Sequence, residues 1–173
     1  EVEAPRVPVQ PSPDGAPGAG APVLVLLPGL GDDPDTFRER GFVAAVQARL
    51  PGWKVVLADA HFGYFRSRSL TDRLQADVFG PLEAEAPQAL WIAGVSLGGF
   101  GALRFLQQRE ARDPAPGPAV DGVLLLAPFL GDAEVAQAIA DAGGLAQWRP
   151  PSEPADGDAA QAATEVWTWL RER

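Results

Sequence analysis

The stretch Leu90–Leu103, "LWIAGVSLGGFGAL", carries the strongest structural signal in this sequence. Its first six residues are almost continuously apolar, a pattern typical of a strand that is covered on both faces of its sheet. Glycines then surround Ser96, and apolar residues return afterwards with the spacing of one helical face. The stretch therefore predicts a buried strand, a tight turn and a helix, which is the repeating unit of an α/β sheet.

Three further apolar runs predict the rest of this sheet: "VLVLLP" (23–28), "WKVVLAD" (53–59) and "GVLLLAP" (122–128). Helical spacings lie between the runs, in Val43, Val46 and Leu50 and again in Leu70, Leu74 and Val78. Strands that alternate with helices of this length favour right-handed crossovers. We expect an α/β fold with a doubly wound, mainly parallel sheet and helices on both faces.

The two ends of the chain have a different character. Residues 1–22 are rich in Pro and Gly, which predicts an N-terminal arm in which Val7 and Val9 form either an edge strand or plain coil. Residues 23–173 are predicted to form a single domain. After Pro128 the pattern predicts two helices, over 133–143 and 159–173, and no further strand.

Composition excludes several classes of protein. The formal net charge of -9 argues against a nucleic-acid partner, because binding phosphates needs a clustered basic surface. The sequence contains no cysteine, which excludes disulfides, thiolate nucleophiles and cysteine zinc sites, and it has no apolar run of the roughly 18 residues that a membrane span needs. Because the chain begins at Glu1 and has no methionine, we interpret it as processed or trimmed. Its localisation is either cytoplasmic or, after loss of a signal peptide, exported.

Gly94-Val95-Ser96-Leu97-Gly98 fits the pattern G-x-S-x-G between a predicted strand and a predicted helix. Side chains at the flanking glycines would strike neighbouring backbone in so sharp a turn, and the hydroxyl would stand at the carboxyl edge of the sheet. We interpret the stretch as a nucleophile elbow rather than a structural glycine turn. A phosphate-binding loop is excluded because Phe100 follows Gly99, and a dinucleotide fingerprint because Pro34 occupies its third glycine position. No cofactor is predicted.

The loop "LLPGLGDDPDTF" (26–37) follows the first strand of the domain. An acyl-transfer site stabilises its oxyanion with backbone N–H groups, and Leu97 and Leu30 are the predicted donors. Asp35 is expected to cap the following helix. Together with Asp32 and Asp33 it is interpreted as a capping and solvated group rather than a metal site.

Four stretches, "VLVLLPGLGDD", "LADAHFGY", "LWIAGVSLGGFGAL" and "VDGVLLLAPFLGD", together resemble the α/β-hydrolase superfamily. Specifically, they resemble its small serine esterases with a G-x-S-x-G-G elbow, over residue 23 to about residue 132. The resemblance implies a serine hydrolase, a carboxylesterase for small or medium acyl esters that forms an acyl-enzyme on Ser96. Leu97 and Leu30 would supply the oxyanion hole.

The sequence departs from the family after Ser96. Family members place the acid and then the histidine beyond the nucleophile, whereas here no histidine follows Ser96 and two final strands have no counterpart. His61 is a candidate base and Asp132 a candidate acid, with loop anchoring and helix capping as their alternative roles. We expect that the chain lacks its C-terminal third, that a second polypeptide completes the site, or that this is a short relative without catalysis.

Three functional hypotheses follow. The first is a serine esterase that is an enzyme in its full-length form and inactive as this chain alone. The second is a non-catalytic binding or interaction protein of the same fold, and the third is a flavodoxin-like domain. Four aromatic side chains are expected either to line an apolar acyl pocket or to pack in the core: Phe62, Tyr64, Phe65 and Phe129.

Overall fold

The structure is a computed structural model that describes residues 9–11, 20–112, 116–153 and 156–173. Internal contacts divide the chain into two compact units, residues 1–128 and residues 129–173, and each is described by itself. The single domain over residues 23–173 therefore stays a prediction.

The first unit is built on a five-stranded sheet with the order β1-β3-β2-β4-β5. Its strands are β1 (Val9–Pro11), β2 (Val23–Leu27), β3 (Lys54–Ala58), β4 (Leu90–Val95) and β5 (Gly122–Leu126). Strands β2 to β5 are parallel, and β1 pairs with β3 in the antiparallel direction. The four predicted strands and the mainly parallel fold class are confirmed. Val9 belongs to an edge strand, while Val7 lies outside the described residues.

Helices connect the strands: α1 (Pro34–Glu39), α2 (Phe42–Arg49), α3 (Phe62–Arg66), α4 (Leu70–Leu74), a π-helical turn (Gln75–Phe79), α5 (Gly80–Glu85) and α6 (Leu97–Glu110). They cover both faces of the sheet. Val23, Val25 and Leu27 of β2 face a core formed with α3 to α6, whereas Leu24 and Leu26 face a smaller core formed with α1 and α2. This alternation follows from the two-residue repeat of a strand and explains why β2 is apolar throughout.

The cap of α1 corrects one expectation. Asp33, not Asp35, is the N-cap residue: its carboxylate accepts the Thr36 N–H at 3.0 Å, in a capping box. Asp35 lies in the first turn of the helix, where it pairs with Arg38 at 2.7 Å. Pro34 at the first helical position explains the shift, because proline favours that position and makes its predecessor the cap.

Strand β5 corrects another. Its apolar run predicts a strand covered on both faces, yet Leu124, Leu125 and Leu126 are 47%, 37% and 41% exposed. Among the described residues, this strand lies at the end of the sheet order and has β4 as its one neighbour. The sequence pattern indicates that both faces of the strand are apolar. It does not indicate whether other residues of this chain cover those faces.

Arg109 of α6 fixes the segment that leads into β5. Its buried guanidinium donates to the carbonyl oxygens of Pro116 and Gly117, both at 2.9 Å, and also to that of Pro118. Burial lowers the pKa of this guanidinium from its ordinary value. The three carbonyl acceptors stabilise a cation that would otherwise lose its hydration without compensation.

The second unit contains α7 (Ala133–Asp141) and α8 (Asp158–Arg171), close to the predicted bounds. Trp167 donates its indole N–H to the Leu130 carbonyl at 2.9 Å, and the Arg173 guanidinium lies 4.7 Å from the ring centre of Trp169. The described part of this unit has no strand. None of the helices in the described ranges combines the length and the hydropathy that spanning a membrane requires.

Candidate active site around Ser96

Ser96 lies at the junction of β4 and α6 with φ +48° and ψ -114°. Such backbone angles are rare in residues other than glycine and carry a conformational free-energy cost of the order of 1–3 kcal/mol. Hydrogen bonds from the surrounding structure must therefore stabilise them. The Ser96 N–H donates to the Leu126 carbonyl at 3.0 Å, and the Ser96 carbonyl accepts the Gly99 N–H at 3.0 Å. The residue is thus fixed by the adjacent strand on one side and by the first helical turn on the other.

The flanking glycines leave no space for side chains. A Cβ atom on Gly94 would lie 2.5 Å from the Gly99 nitrogen, and one on Gly98 would lie 2.5 Å from the Pro28 carbonyl oxygen. Both contacts are with backbone, which cannot move aside as a flexible side chain can. The steric need for glycine at these two positions is therefore a property of this turn.

The loop after β2 lies against Ser96. A Cβ atom on Gly29 would be 3.6 Å from the Ser96 Cβ, so the backbone of Gly29 borders the serine side chain directly. The Asp32 N–H donates to the Gly29 carbonyl at 3.2 Å and closes a turn that contains Leu30 and Gly31, the latter at φ +81°. In the sequence, Gly29 is the first glycine of the excluded dinucleotide fingerprint, and the pattern assigns it no role beside Ser96.

The backbone N–H groups of Leu97 and Leu30 have no hydrogen-bond acceptor among the described residues. Leu97 is the first residue of α6, where the helix dipole adds partial positive charge. The Ser96 hydroxyl likewise has no hydrogen-bond partner within the described ranges. A hydroxyl and unengaged donors therefore occur together at the carboxyl edge of the sheet.

His61 caps helix α3. Its Nδ1 accepts the Gly63 N–H at 3.0 Å, and its ring lies 4.5 Å from that of Tyr64. A neutral imidazole whose Nδ1 accepts a hydrogen bond carries its proton on Nε2, and that nitrogen then donates rather than accepts. The structure thus gives His61 the anchoring role, and its role as a base stays a prediction.

Asp132 belongs to the second unit and caps α7. Its carboxylate accepts the N–H groups of Glu134 at 2.9 Å and Val135 at 3.3 Å. Its role as the acid of a triad stays a prediction.

The three aspartates of the loop after β2 each have a partner. Asp32 lies 3.6 Å from Arg40, Asp33 accepts the Thr36 N–H, and Asp35 pairs with Arg38.

Asp121 supports β4 at its beginning, a role that was not predicted from the sequence. Its carboxylate accepts the Leu90 N–H at 2.8 Å, and its own N–H donates to the Leu90 carbonyl at 2.8 Å. Together with the bond from Ser96 to Leu126, this ties β4 to the β5 segment at both ends. An aspartate directly before an apolar strand was the signal available in the sequence.

Tyr64 is buried, and its pKa is raised from the ordinary value of 10.0, chiefly by burial and further by Asp59 and Asp77. The folded chain holds the phenolic proton of Tyr64 more tightly than the unfolded chain does. The contribution of this difference to the free energy of unfolding is fully present below pH 10.0 and is lost as the pH rises through the folded-state pKa. We expect Tyr64→Phe to flatten the decline of the unfolding free energy at alkaline pH, measured by urea unfolding. Tyr64 is the one tyrosine of the sequence, so tyrosinate absorbance reports its ionisation directly. Ionisation at the pH of free tyrosine in the native chain would contradict the expectation.

Comparisons with known proteins agree on the fold. No protein-family model matches the chain, and no curated protein sequence matches it. Among solved structures, the chain is similar to S-formylglutathione hydrolase from Staphylococcus aureus, with 16% identity, a TM-score of 0.55, and coverage of 90% of this chain and 56% of that one. It is also similar to a hormone-sensitive lipase from a metagenome library, with 19% identity, a TM-score of 0.51, and coverage of 71% and 43%. The chain thus spans about half the length of these structures.

Proposed function

We propose that this chain carries the nucleophile of a serine hydrolase that acts on small or medium acyl esters. The premise is that the chain has the fold of the α/β hydrolases. The observation that carries the proposal is the backbone of Ser96, held at φ +48° between a buried strand and a helix that begins at Leu97. Strained backbone conformations cluster at functional sites, and of the non-glycine residues with positive φ in the described ranges, Ser96 is the one that carries a hydroxyl between a strand and a helix.

The reaction would proceed through an acyl-enzyme. The Ser96 Oγ attacks the ester carbonyl carbon, its proton passes to a base, and the carbonyl electrons move to oxygen as an oxyanion. Collapse of this intermediate expels the alcohol, which takes up the proton. Water then attacks the acyl-enzyme in the same way and releases the acid and free Ser96.

The oxyanion would be stabilised by Leu97 and Leu30. Both N–H groups lack acceptors among the described residues, and the Leu30 loop borders Ser96 through Gly29. Donors that are already in place need no reorganisation when the charge develops, and each is worth about 3 kcal/mol of transition-state stabilisation.

Exposed apolar side chains support an ester with an apolar acyl group. Leu30 is 63% exposed and Phe62 is 48% exposed, and they follow β2 and β3, which end at the same edge of the sheet as β4. Tyr64 is buried in the core, and Phe65 packs against Gly101 of α6. Of the four aromatic residues, Phe62 is the one in the first unit that is available to a substrate.

Labelling with a fluorophosphonate probe tests the proposal. We expect the mass of the chain to rise with time by one adduct, located at Ser96 by peptide mapping, and Ser96→Ala to abolish it. The rate should be low and unchanged in His61→Gln, because His61 Nδ1 serves the helix cap, and an elbow with its oxyanion hole alone retains about 10³–10⁴-fold rate enhancement.

Ser67→Ala is the matched control, since Ser67 is a second serine of the same unit whose hydroxyl donates to the Gly63 carbonyl at 3.0 Å. Its labelling should equal that of the unsubstituted chain. Absence of an adduct, or an adduct that survives Ser96→Ala, would overturn the proposal.

A non-catalytic binding protein is the second candidate. The observations that favour it are the unpartnered Ser96 hydroxyl among the described residues and the engagement of His61 in a cap. Binding of an ester ligand that is equal in the unsubstituted chain and in Ser96→Ala, without any adduct, would support this function over hydrolysis.

A further inference from the structure

We propose that Asp32 makes the site around Ser96 selective for esters that carry a positively charged ammonium group close to the ester carbonyl. This inference rests on the proposed function and names its class of substrate. The Asp32 carboxylate lies beside the serine: a Cβ atom on Gly29 would be 3.0 Å from Asp32 Oδ2 and 3.6 Å from the Ser96 Cβ. The carboxylate and the serine side chain are therefore separated by no more than the sum of these two distances.

The turn after β2 does not require this carboxylate. The hydrogen bond that closes the turn comes from the backbone N–H of Asp32 and reaches the Gly29 carbonyl, so any residue other than proline could donate it. Among the described residues, the Asp32 side chain has one charged partner, the exposed Arg40, which lies 3.6 Å from Oδ1, and Oδ2 accepts no hydrogen bond. By contrast, the Asp33 carboxylate caps α1, and that of Asp35 forms an ion pair at 2.7 Å. Of the three charges in this loop, that of Asp32 is the least engaged in the structure.

The charge of Asp32 acts on the reaction through space. Its side chain is 27% exposed, so solvent screens this charge less than it screens a fully exposed one. A negative charge beside the developing oxyanion raises the free energy of the transition state for a neutral ester, and for an anionic ester it raises it further. An ammonium group on the substrate is attracted by the same carboxylate and offsets this cost. The position of Asp32 therefore favours a cationic ester over a neutral one and disfavours an anionic one.

A second carboxylate follows the neighbouring strand at the same edge of the sheet. Asp59 comes directly after β3, which lies beside β2, and its charge contributes to the raised pKa of Tyr64. The formal net charge of -9 also attracts cations and repels anions before they reach the site. The exposed side chains of Leu30 and Phe62 at this edge would contact the apolar part of the same substrate. We therefore expect an ester that combines an apolar chain with an ammonium group.

A single thiol at position 96 measures the local potential without requiring catalysis. The sequence contains no cysteine, so Ser96→Cys introduces the sole thiol. Two methanethiosulfonate reagents of similar size, one with a trimethylammonium group and one with a sulfonate group, each transfer their thioalkyl part to the thiolate and release methanesulfinate. Both react with the same thiolate, so the fraction of thiol that is ionised cancels from the ratio of the two rate constants. This ratio, divided by that of a small neutral thiol, gives the preference of the site for positive charge.

We expect the ratio for Ser96→Cys to exceed that of the small thiol by about fivefold or more, because a unit charge at this separation attracts one reagent and repels the other. Adding Asp32→Asn, which keeps the backbone N–H and the shape of the side chain, should remove most of the preference. Adding Arg40→Gln should increase it, because the partner of the carboxylate is then absent.

Asp72→Asn is the matched control for Asp32→Asn. It removes the same charge from the chain, but Asp72 pairs with Arg112, which follows the opposite end of α6 from Ser96, and this helix of 14 residues is about 21 Å long. The ratio for Ser96→Cys should stay unchanged in this variant. Equal effects of Asp32→Asn and Asp72→Asn, or a ratio no higher than that of the small thiol, would overturn the proposal.

Phosphonate probes extend the test to the reaction itself. An ammonium group on the chain that the probe retains reports on the acyl side of the ester, and one on the leaving alcohol reports on the other side. On at least one side, the ammonium probe should label Ser96 about fivefold faster than its carboxylate analogue, and Asp32→Asn should bring the two rates together. Equal labelling by both charges would contradict the proposal. A preference of the thiol for the cationic reagent without labelling of Ser96 by any probe would instead refute the hydrolase function and leave the charge selectivity of the site standing.

Discussion

Replacing Gly98 by alanine is expected to lower the free energy of unfolding by about 3 kcal/mol, which is large for one added methyl group. The new Cβ would meet the Leu27 carbonyl oxygen and would lie 2.5 Å from that of Pro28. Both oxygens belong to the backbone where β2 ends, so relief requires α6 to move away from the sheet. Urea unfolding followed by circular dichroism measures the loss, and it should be accompanied by loss of fluorophosphonate labelling at Ser96.

Gly41→Ala is the matched control for this substitution. Gly41 has φ +76° and open space around a built Cβ, so alanine there suffers backbone strain of about 1 kcal/mol without a collision. Labelling of Ser96 should be unaffected. Gly98 lies within α6 and is not among the glycines with positive φ, so alanine suits its backbone conformation. Equal losses of stability in the two variants would therefore contradict the collision with the end of β2.

Replacing Arg109 by methionine is expected to have the second large effect, a loss of about 3 kcal/mol in the free energy of unfolding. Methionine fills much of the same volume but leaves the carbonyls of Pro116, Gly117 and Pro118 without the donors that they have now. Arg109→Lys should recover part of the loss, because an ammonium group retains the charge but cannot match the fork of a guanidinium.

Arg112→Met provides the control on the same helical end. Arg112 pairs with Asp72 at 2.7 Å, but the two side chains are 47% and 70% exposed, and exposed pairs contribute less than about 1 kcal/mol. Chemical unfolding of the three variants, compared with the unsubstituted chain, separates the two cases. A loss below 1 kcal/mol for Arg109→Met would show that the segment before β5 holds its position without the guanidinium.

The strands and the turn at Ser96 could be predicted from the sequence because their causes are local. An uninterrupted apolar run such as Leu90–Val95 requires cover on both faces, and glycines at both sides of Ser96 require a close approach of backbone. Both requirements can be inferred from the residues of the stretch itself, without knowing which residues pack against it.

Other features could not be predicted because they depend on residues distant in sequence or on a choice between neighbours. Arg109 gave no signal, since its acceptors are carbonyls, which every residue has. The assignment of the α1 cap to Asp35 failed because three aspartates compete there and Pro34 selects Asp33. The exposure of β5 depends on strand order, which an apolar run does not encode.

The composition of α6 also determines when its first turn can form during folding. Glycine occupies positions 98, 99 and 101, and each costs about 1 kcal/mol in helix formation relative to alanine. Nucleation of a helix is already unfavourable, so this end cannot start the helix in an unfolded chain. The first turn is stabilised instead by contacts with β2 and β4, which are far apart in sequence and pair late. We therefore expect the strained backbone of Ser96 to form only after β2 and β4 have paired, and to be lost when these strands separate.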